Sequence, residues 1–224
     1  AAARRTTALA DAELLLQGPS VPPLWSLPPL PAGVSPALIS WVVCQQLGLD
    51  PQIAALGLSV PPHFPHLRFE DPRCGPGECV SSGTAMVTER VKQLLQRGRR
   101  LGQHLRRPLV LAECVPGGTT TALAILTGLG LPVQTLVSGS ALHPPMALKQ
   151  RLVSEGLSRL PCDRQIDAVS LLAAVGDPFQ ALATGLLIGA LDADQTVLLA
   201  GGSQMAAVLA LALDAVASDR RQQL

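Results

Sequence analysis

The sequence predicts an α/β fold, a parallel sheet with helices on both of its faces. Three stretches carry this prediction, because each begins with a short apolar run, continues through a turn of small residues and ends in a helix-like segment. The apolar runs are Leu109–Ala112, residues 133–137 and Val197–Ala200. Strand, turn and helix in alternation are typical of parallel sheets covered by helices. We therefore expect a doubly wound, Rossmann-like domain, preceded by a small irregular and helical N-terminal part.

The N-terminal part is predicted from its prolines. Residues 18–36 are proline-dense, and each proline removes a backbone donor and restrains φ, which favours extended, irregular chain. Pro36 can still open a helix over 37–47, with Ser35 as its N-cap. The apolar run 53–60 that follows is stopped by two prolines and is a candidate buried strand.

Helices are predicted in most of the remaining chain. A long helix that reaches about residue 105, with Ser82 or Thr84 as its cap, alternates apolar with basic residues. Its basic end, residues 97–107, is typical of a solvated helix face. Three shorter helices follow the three apolar runs, and two more are separated by a break at Gly176-Asp177-Pro178. These five helices span residues 120–129, 146–157, 167–175, 179–191 and 205–216.

The domain organisation follows from length and composition. The chain has 224 residues, of which 48% are hydrophobic, and this suits one globular domain. We expect residues 1–224 to form a single α/β domain in which residues 1–50 make part of a small lobe. Because the chain opens AAARR without an initiator methionine, we also expect it to be an incomplete part of a longer protein.

Composition argues against several classes of function. The net charge is only +1 and aromatic residues make up 2%, so neither a basic field nor a stacking platform favours nucleic acid. Five cysteines and four histidines show no metal-ligand spacing, which predicts reduced thiols, no metal and a cytoplasmic location. The longest apolar tract, 196–213, is interrupted by Gly201-Gly202-Ser203-Gln204, so we expect no membrane span.

The turn Gly117-Gly118-Thr119-Thr120 is the first candidate site. In open α/β sheets ligands gather at the carboxyl ends of the strands, and this turn follows the run 109–112. Glycines permit close backbone approach, and the N–H groups that open a helix attract an anion such as phosphate. The residues alone leave a structural alternative open, in which the glycines only make a tight turn and Glu113 stabilises the helix N-terminus.

Two later turns between a predicted strand and a predicted helix are also candidates for binding phosphate. Ser138-Gly139-Ser140 is small and polar, and Lys149, early in the following helix, could neutralise a phosphate or simply face solvent. Gly201-Gly202 could supply a second backbone cradle or only a tight turn. Glu113 would accept hydrogen bonds from ribose hydroxyls or position a cationic ring.

Taken in order, these segments resemble the nicotinate-nucleotide–dimethylbenzimidazole phosphoribosyltransferase family. Gly33-Val34-Ser35 is similar to its Gly-Val-Ser segment beside the benzimidazole pocket, and Gly83-Thr84-Ala85-Met86 to its Gly-Pro-Ala-Met helix start. Residues 112–120 resemble its central Gly-Glu-Met-Gly-Ile-Gly-Asn-Thr-Thr loop, and Ser138-Gly139-Ser140 with Lys149 resembles its small-residue loop and helix lysine. Further matches are its helix break at 172–177 and its last strand and turn at 198–202. The segment AECVPGGTTTALAILTGLG, residues 112–130, is still more similar to a divergent branch of this family found in cyanobacteria and archaea.

The resemblance implies a reaction of cobalamin lower-ligand synthesis. The ribose phosphate of nicotinate mononucleotide would move to 5,6-dimethylbenzimidazole or a related base, giving an α-riboside phosphate and nicotinate. It implies no cofactor, no metal and a cytoplasmic homodimer. A non-catalytic nucleotide-binding homologue and transfer to a different acceptor base remain the alternatives.

The resemblance also assigns residues. The phosphate would lie near Gly117, Gly118 and Lys149, and the acceptor base near Ser35. The family's general base, a glutamate near the C-terminus, has no counterpart in this chain, which leaves Glu113 as a substitute or supporting catalytic residue. The substrate-binding residues assigned in this way are Ser35, Gly117, Gly118, Thr119, Thr120, Ser138, Gly139, Ser140, Lys149, Gly201 and Gly202.

Overall fold

The structure is a computed structural model of the chain, and it describes residues 2–27, 35–139, 143–161 and 166–216. The chain is mixed α/β and mostly helical. It divides into two compact units. The first comprises Ala1–Gly75 and Cys114–Pro116, and the second comprises Pro76–Glu113 and Gly117–Leu224.

In its described residues, the first unit contains two α-helices and a minimal parallel sheet. Helix α1 spans Ala2–Gln17 and helix α2 spans Pro36–Leu47, and a two-residue strand β1, Ala54–Ala55, pairs with β2, Leu67–Arg68. Helix α2 begins where the sequence predicts, because the Ser35 side chain accepts a hydrogen bond from the Ala37 amide and proline occupies the first turn. Of the apolar run 53–60, only residues 54 and 55 form a strand.

The second unit carries six α-helices and one pair of strands in its described residues. The strands pair in parallel, with Leu109 opposite Val197 and Ala112 opposite Ala200. The elements in chain order are α3 (Thr88–Gln103), β3 (Leu109–Ala112), α4 (Gly118–Gly128), α5 (Met146–Leu157), α6 (Ala168–Val175), α7 (Pro178–Asp192), β4 (Val197–Ala200) and α8 (Ser203–Ala215).

The described residues of the second unit contain this pair of strands rather than the extended, doubly wound sheet that the sequence predicts. Residues 133–137 are not a strand, because hydrogen bonds from Val133 N to Leu131 O, and from Leu136 N and Val137 N to Val133 O, fold them into turns. Backbone groups satisfied in this local way cannot join a ladder. The apolar composition of the run was therefore a poor indicator of strand.

Helices cover one face of this sheet. Leu111, Val197 and Leu199 pack against a buried cluster from α7 and α8 that includes Leu187 and Val208. Side chains alternate between the two faces of a strand. On the opposite face Val110 is 58% exposed and Leu198 is 60% exposed, so the prediction of helices on both faces is not met in the described residues.

Helices α3 and α7 touch backbone to backbone through glycines. A Cβ placed on Gly98 would lie 2.0 Å from the Leu182 carbonyl oxygen, and one on Gly185 would lie 2.1 Å from that of Leu95. Each helix has a second glycine four residues later, Gly102 in α3 and Gly189 in α7, and both are similarly close to the backbone of the partner helix. Residues four apart share a helix face. The basic end of α3 therefore has two faces. Its arginine residues face solvent, as predicted, whereas its glycines are buried against α7.

The helix break predicted at 176–178 is confirmed. Helix α6 ends at Val175, and α7 starts at Pro178 with Asp177 as its N-cap. The Asp177 side chain accepts from the Gln180 amide while the Gln180 side chain accepts from the Asp177 amide, a reciprocal capping box. Among the helices of the described residues, none combines the length and apolar character that a bilayer crossing requires.

We expect Gly98→Ala to lower the free energy of unfolding by about 3 kcal/mol, because the added methyl group meets a backbone carbonyl that cannot rotate away. Chemical denaturation of the purified protein measures this loss. The control is Gln96→Ala, at an exposed position of the same helix, which should change stability by no more than about 0.5 kcal/mol. A gain in stability for Gly98→Ala, from improved helix propensity alone, would contradict the close contact.

Candidate functional site

The start of helix α4 is built as an open helix N-terminus. Its N-cap, Gly117, has a φ of 84°, in the left-handed region that glycine adopts without strain. No side chain caps the helix, and the amide of Thr120 is satisfied by the Gly117 carbonyl at 2.8 Å. The first amides of a helix lack a carbonyl partner four residues earlier. The turn therefore presents N–H groups and the positive end of the helix dipole, as the sequence predicts for an anion site.

Lys149 lies beside this turn. Its side chain is 5% exposed, and Nζ donates hydrogen bonds to Thr119 Oγ1, at 3.0 Å, and to the Ser138 carbonyl oxygen. A Cβ placed on Gly139 would lie 3.8 Å from Thr119 Oγ1 and 4.0 Å from the ammonium nitrogen. Burial lowers the pKa of the Lys149 ammonium. The structure thus brings together two predicted junctions, and the alternative that Lys149 faces solvent is wrong.

Glu113 and Gly201 follow the two paired strands. Because Ala112 is opposite Ala200 in a parallel register, both residues leave the sheet at the same edge. Helix α8 resembles α4 in having a glycine N-cap, Gly202, and no side-chain cap. The predicted residue Ser140 lies outside the described residues.

A buried polar network, which sequence reasoning missed, links the first turns of three helices. Asp177 Oδ2 accepts hydrogen bonds from Thr121 Oγ1 in α4, at 2.5 Å, and from Gln204 Nε2 in α8, at 2.7 Å. Gln180 in α7 closes the network by donating from Nε2 to Gln204 Oε1 at 2.7 Å. Thr121 Oγ1 also lies 3.0 Å from the carbonyl oxygen of Gly118. The network therefore touches the residue that opens α4.

The two N-cap aspartates of this region have opposite environments. Burial raises the pKa of the Asp177 carboxyl, and hydrogen bonds from Thr121, Gln180 and Gln204 oppose that rise because they favour the ionised form. Asp167 caps α6 at the surface, where the hydrogen bond from the Ser170 amide lowers its pKa. The only sequence signal for Asp177 was its place in the Gly-Asp-Pro helix break, which indicates a cap but not its buried partners.

Ser35 lies in the first unit, next to a carboxylate. Its hydroxyl donates to Asp11 Oδ1 at 2.6 Å, and the thiol of Cys114 donates to Asp11 Oδ2 at 3.2 Å. Ser35 is buried and accepts from the Ala37 amide as the N-cap of α2. Asp11 was missed because no helix was predicted over 2–17. The preceding residues of the predicted base pocket, Gly33 and Val34, lie outside the described residues.

Comparison with known proteins agrees with the resemblance read from the sequence. Residues 37–220 match a protein family described as phosphoribosyltransferase, DBI_PRT. The chain is 60% identical over 223 residues to a UPF0284 protein of Prochlorococcus marinus (strain MIT 9313). It is 58% identical over 224 residues to UPF0284 protein SYNW1869 of Parasynechococcus marenigrum (strain WH8102). It spans 55% and 56% of the lengths of these two relatives.

Solved structures share the fold. The crystal structure of CobT from Thermus thermophilus superposes with a TM-score of 0.69 at 20% identity, over 94% of this chain and 59% of that chain. A nicotinate-nucleotide-dimethylbenzimidazole phosphoribosyltransferase structure from the same organism gives 0.62 at 21% identity, over 78% of this chain and 52% of that one. Since the family match covers most of the residues and the fold agrees with it, this chain belongs to the CobT-like phosphoribosyltransferase family.

Proposed function

We propose that this chain carries the phosphate-binding part of an enzyme that transfers the ribose phosphate of nicotinate mononucleotide to 5,6-dimethylbenzimidazole or a related base. The observation that supports this most is the buried ammonium of Lys149 beside the open N-terminus of α4. Such an enzyme is a pentosyltransferase, and its products would be nicotinate and an α-riboside phosphate.

Among the described residues, the hydrogen-bond partners of the Lys149 ammonium carry no charge. Both acceptors of its hydrogen bonds are neutral oxygen atoms, those of Thr119 and Ser138. Burying a cation without a counter-charge is unfavourable. A bound phosphate would supply that charge, and the amides of Gly118 and Thr119 would donate to its oxygen atoms.

The bond changes of the proposed reaction are simple. The glycosidic bond of nicotinate mononucleotide breaks with its electron pair going to the pyridinium nitrogen, which becomes neutral. The lone pair of an acceptor nitrogen forms the new bond to the anomeric carbon, and the acceptor then loses its ring proton. Alignment of two substrates can by itself lower a barrier by roughly 7–11 kcal/mol, so binding groups can supply much of the catalysis.

Other predicted residues receive roles in this proposal. Glu113, at the edge of the sheet, would hold the ribose hydroxyls or assist proton removal from the acceptor. Ser35, with Asp11 beside it, would contact the acceptor base, and Gly201 and Gly202 would approach the nucleotide from the start of α8. We also propose that the enzyme is a cytoplasmic homodimer that uses no cofactor.

The decisive experiment uses the full-length protein that contains this chain, incubated with nicotinate mononucleotide and a panel of benzimidazoles. We expect release of nicotinate together with an α-riboside phosphate, both identified by chromatography and mass spectrometry. Binding without turnover for every base would instead make the protein a non-catalytic homologue. Turnover only with a base of another class would make the acceptor assignment wrong.

Lys149→Met should weaken binding of nicotinate mononucleotide by roughly ten- to a hundredfold, because a charge-assisted hydrogen bond contributes about 1.5–3 kcal/mol. Glu113→Gln should weaken it less, since only ribose contacts are affected. Isothermal titration calorimetry measures both. Lys92→Met is the matched control, because Lys92 is the other lysine of the chain and is exposed on α3. Equal affinity of wild type and Lys149→Met would exclude this phosphate site.

Lys149→Met should also make the ligand-free protein more stable at neutral pH. Burial lowers the pKa of Lys149 below its ordinary value of 10.5, so between the two values the unfolded state binds more protons than the folded state. The stability of the wild type therefore rises with pH through that window and is reduced below it. The advantage of Lys149→Met, measured by urea denaturation and compared with Lys92→Met, should shrink as pH approaches 10.5. If the stability advantage of Lys149→Met grew with pH instead, the conclusion that Lys149 is buried as a cation would be wrong.

A further inference from the structure

We infer that Asp177 is a positioning residue for the anion cradle, because its carboxyl group ties together the first turns of α4 and α8. This inference rests on the proposed function only in taking those turns as the place where phosphate binds. Asp177 itself touches no substrate in this proposal. It acts through the two helices whose opening amides face the ligand.

The two oxygen atoms of the Asp177 carboxyl group bind different helices. Oδ1 accepts from the Gln180 amide and so caps α7, the helix that Asp177 precedes. Oδ2 reaches the two other helices through Thr121 and Gln204. One side chain thereby fixes three helix starts relative to one another.

The network is a closed ring with matched donors and acceptors. Gln204 uses its amide nitrogen toward Asp177 and its amide oxygen toward Gln180. Gln180 in turn accepts from the Asp177 amide at 3.1 Å. Asp177, Gln180 and Gln204 are all at least nine-tenths buried. Inside a low-dielectric interior such fully satisfied networks rigidify the elements that they join.

Two of the three helices that the ring joins, α4 and α8, have no side-chain cap of their own. Helices α6 and α7 begin with aspartate caps, whereas α4 and α8 begin with glycine and have no side-chain cap. A side-chain cap would occupy the opening amides and leave them unavailable to a ligand. The ring instead holds these two turns from their buried side, through Thr121 and Gln204. The turns are thereby ordered, and their opening amides stay available to a ligand.

The test uses the isosteric variant Asp177→Asn in the full-length protein, with Asp167→Asn as the matched control. With its oxygen kept on the Gln180 amide as the cap of α7, an amide at position 177 would set its NH₂ group against the NH₂ group of Gln204, so the link to α8 is lost. We expect hydrogen exchange to increase at least tenfold at the amides that are hydrogen-bonded in these first turns, those of Thr120 in α4 and Ala206 in α8. Affinity for nicotinate mononucleotide and for inorganic phosphate should fall about tenfold. Asp167 is an exposed N-cap, that of α6, and lies outside the ring, so its variant should change neither.

Rescue distinguishes positioning from general stability. In the double variant Asp177→Asn with Gln204→Glu, the donor and acceptor simply exchange places, and we expect exchange protection and affinity to return to within about threefold of wild type. Thr121→Val, which removes the hydrogen bonds of α4 to Asp177 and to Gln204 but leaves the bond between those two residues, should raise exchange in α4 more than in α8. If Asp177→Asn does not fold, these two variants provide the same test.

Two results would overturn the inference. One is unchanged exchange at the starts of both helices in Asp177→Asn, or at the start of α4 in Thr121→Val. The other is a double variant that folds without recovering protection. If the wild type binds neither nicotinate mononucleotide nor phosphate, the proposed function fails, but the exchange and rescue measurements still decide whether Asp177 positions the two turns.

Discussion

The close contact between α3 and α7 is the constraint on which the second unit depends. Four glycines, two on each helix, let the backbones meet at distances where any Cβ would lie within about 2 Å of the opposing chain. Glycine lowers helix propensity by about 1 kcal/mol at each position. The two helices are therefore intrinsically less stable, but their backbones can pack in direct contact. Beyond the glycines, Arg99 of α3 bonds Asp192 at the end of α7 at 2.7 Å. Helix α7 is therefore held along its length.

That constraint reaches the proposed site through the start and the middle of α7. Its first residue follows Asp177, whose carboxyl group holds the opening turns of α4 and α8. Farther along, Ala183 and Leu187 form a buried cluster with α8 and support one face of the β3–β4 pair. A helix fixed against α3 can thus serve as the reference for two turns and two strands. Precise turns matter because backbone amides, unlike long side chains, cannot adjust to a ligand independently of the fold.

The charges around the proposed site are those that an anion would require. Lys149 lies among neutral oxygen atoms, and the two neighbouring helix starts contribute further positive potential. Asp177, the acid of the network, is buried, and both of its carboxyl oxygen atoms accept hydrogen bonds. Family membership and the arrangement of the turns support the same assignment from independent directions, since one comes from sequence similarity and the other from geometry.

The sequence by itself determined the features that depend on a few neighbouring residues. Ser35 and Pro36 mark the start of α2, the bounds of α5 are those predicted, and the break before α7 follows from Gly176-Asp177-Pro178. The ordered motifs were also sufficient to identify the family. Only the tertiary structure decided which polar groups are buried together. Lys149 meets Thr119 across 30 positions, and Thr121 meets Asp177 across 56. Residues 133–137 formed turns rather than a strand because strand pairing requires a partner elsewhere in the chain, and apolar composition does not specify one.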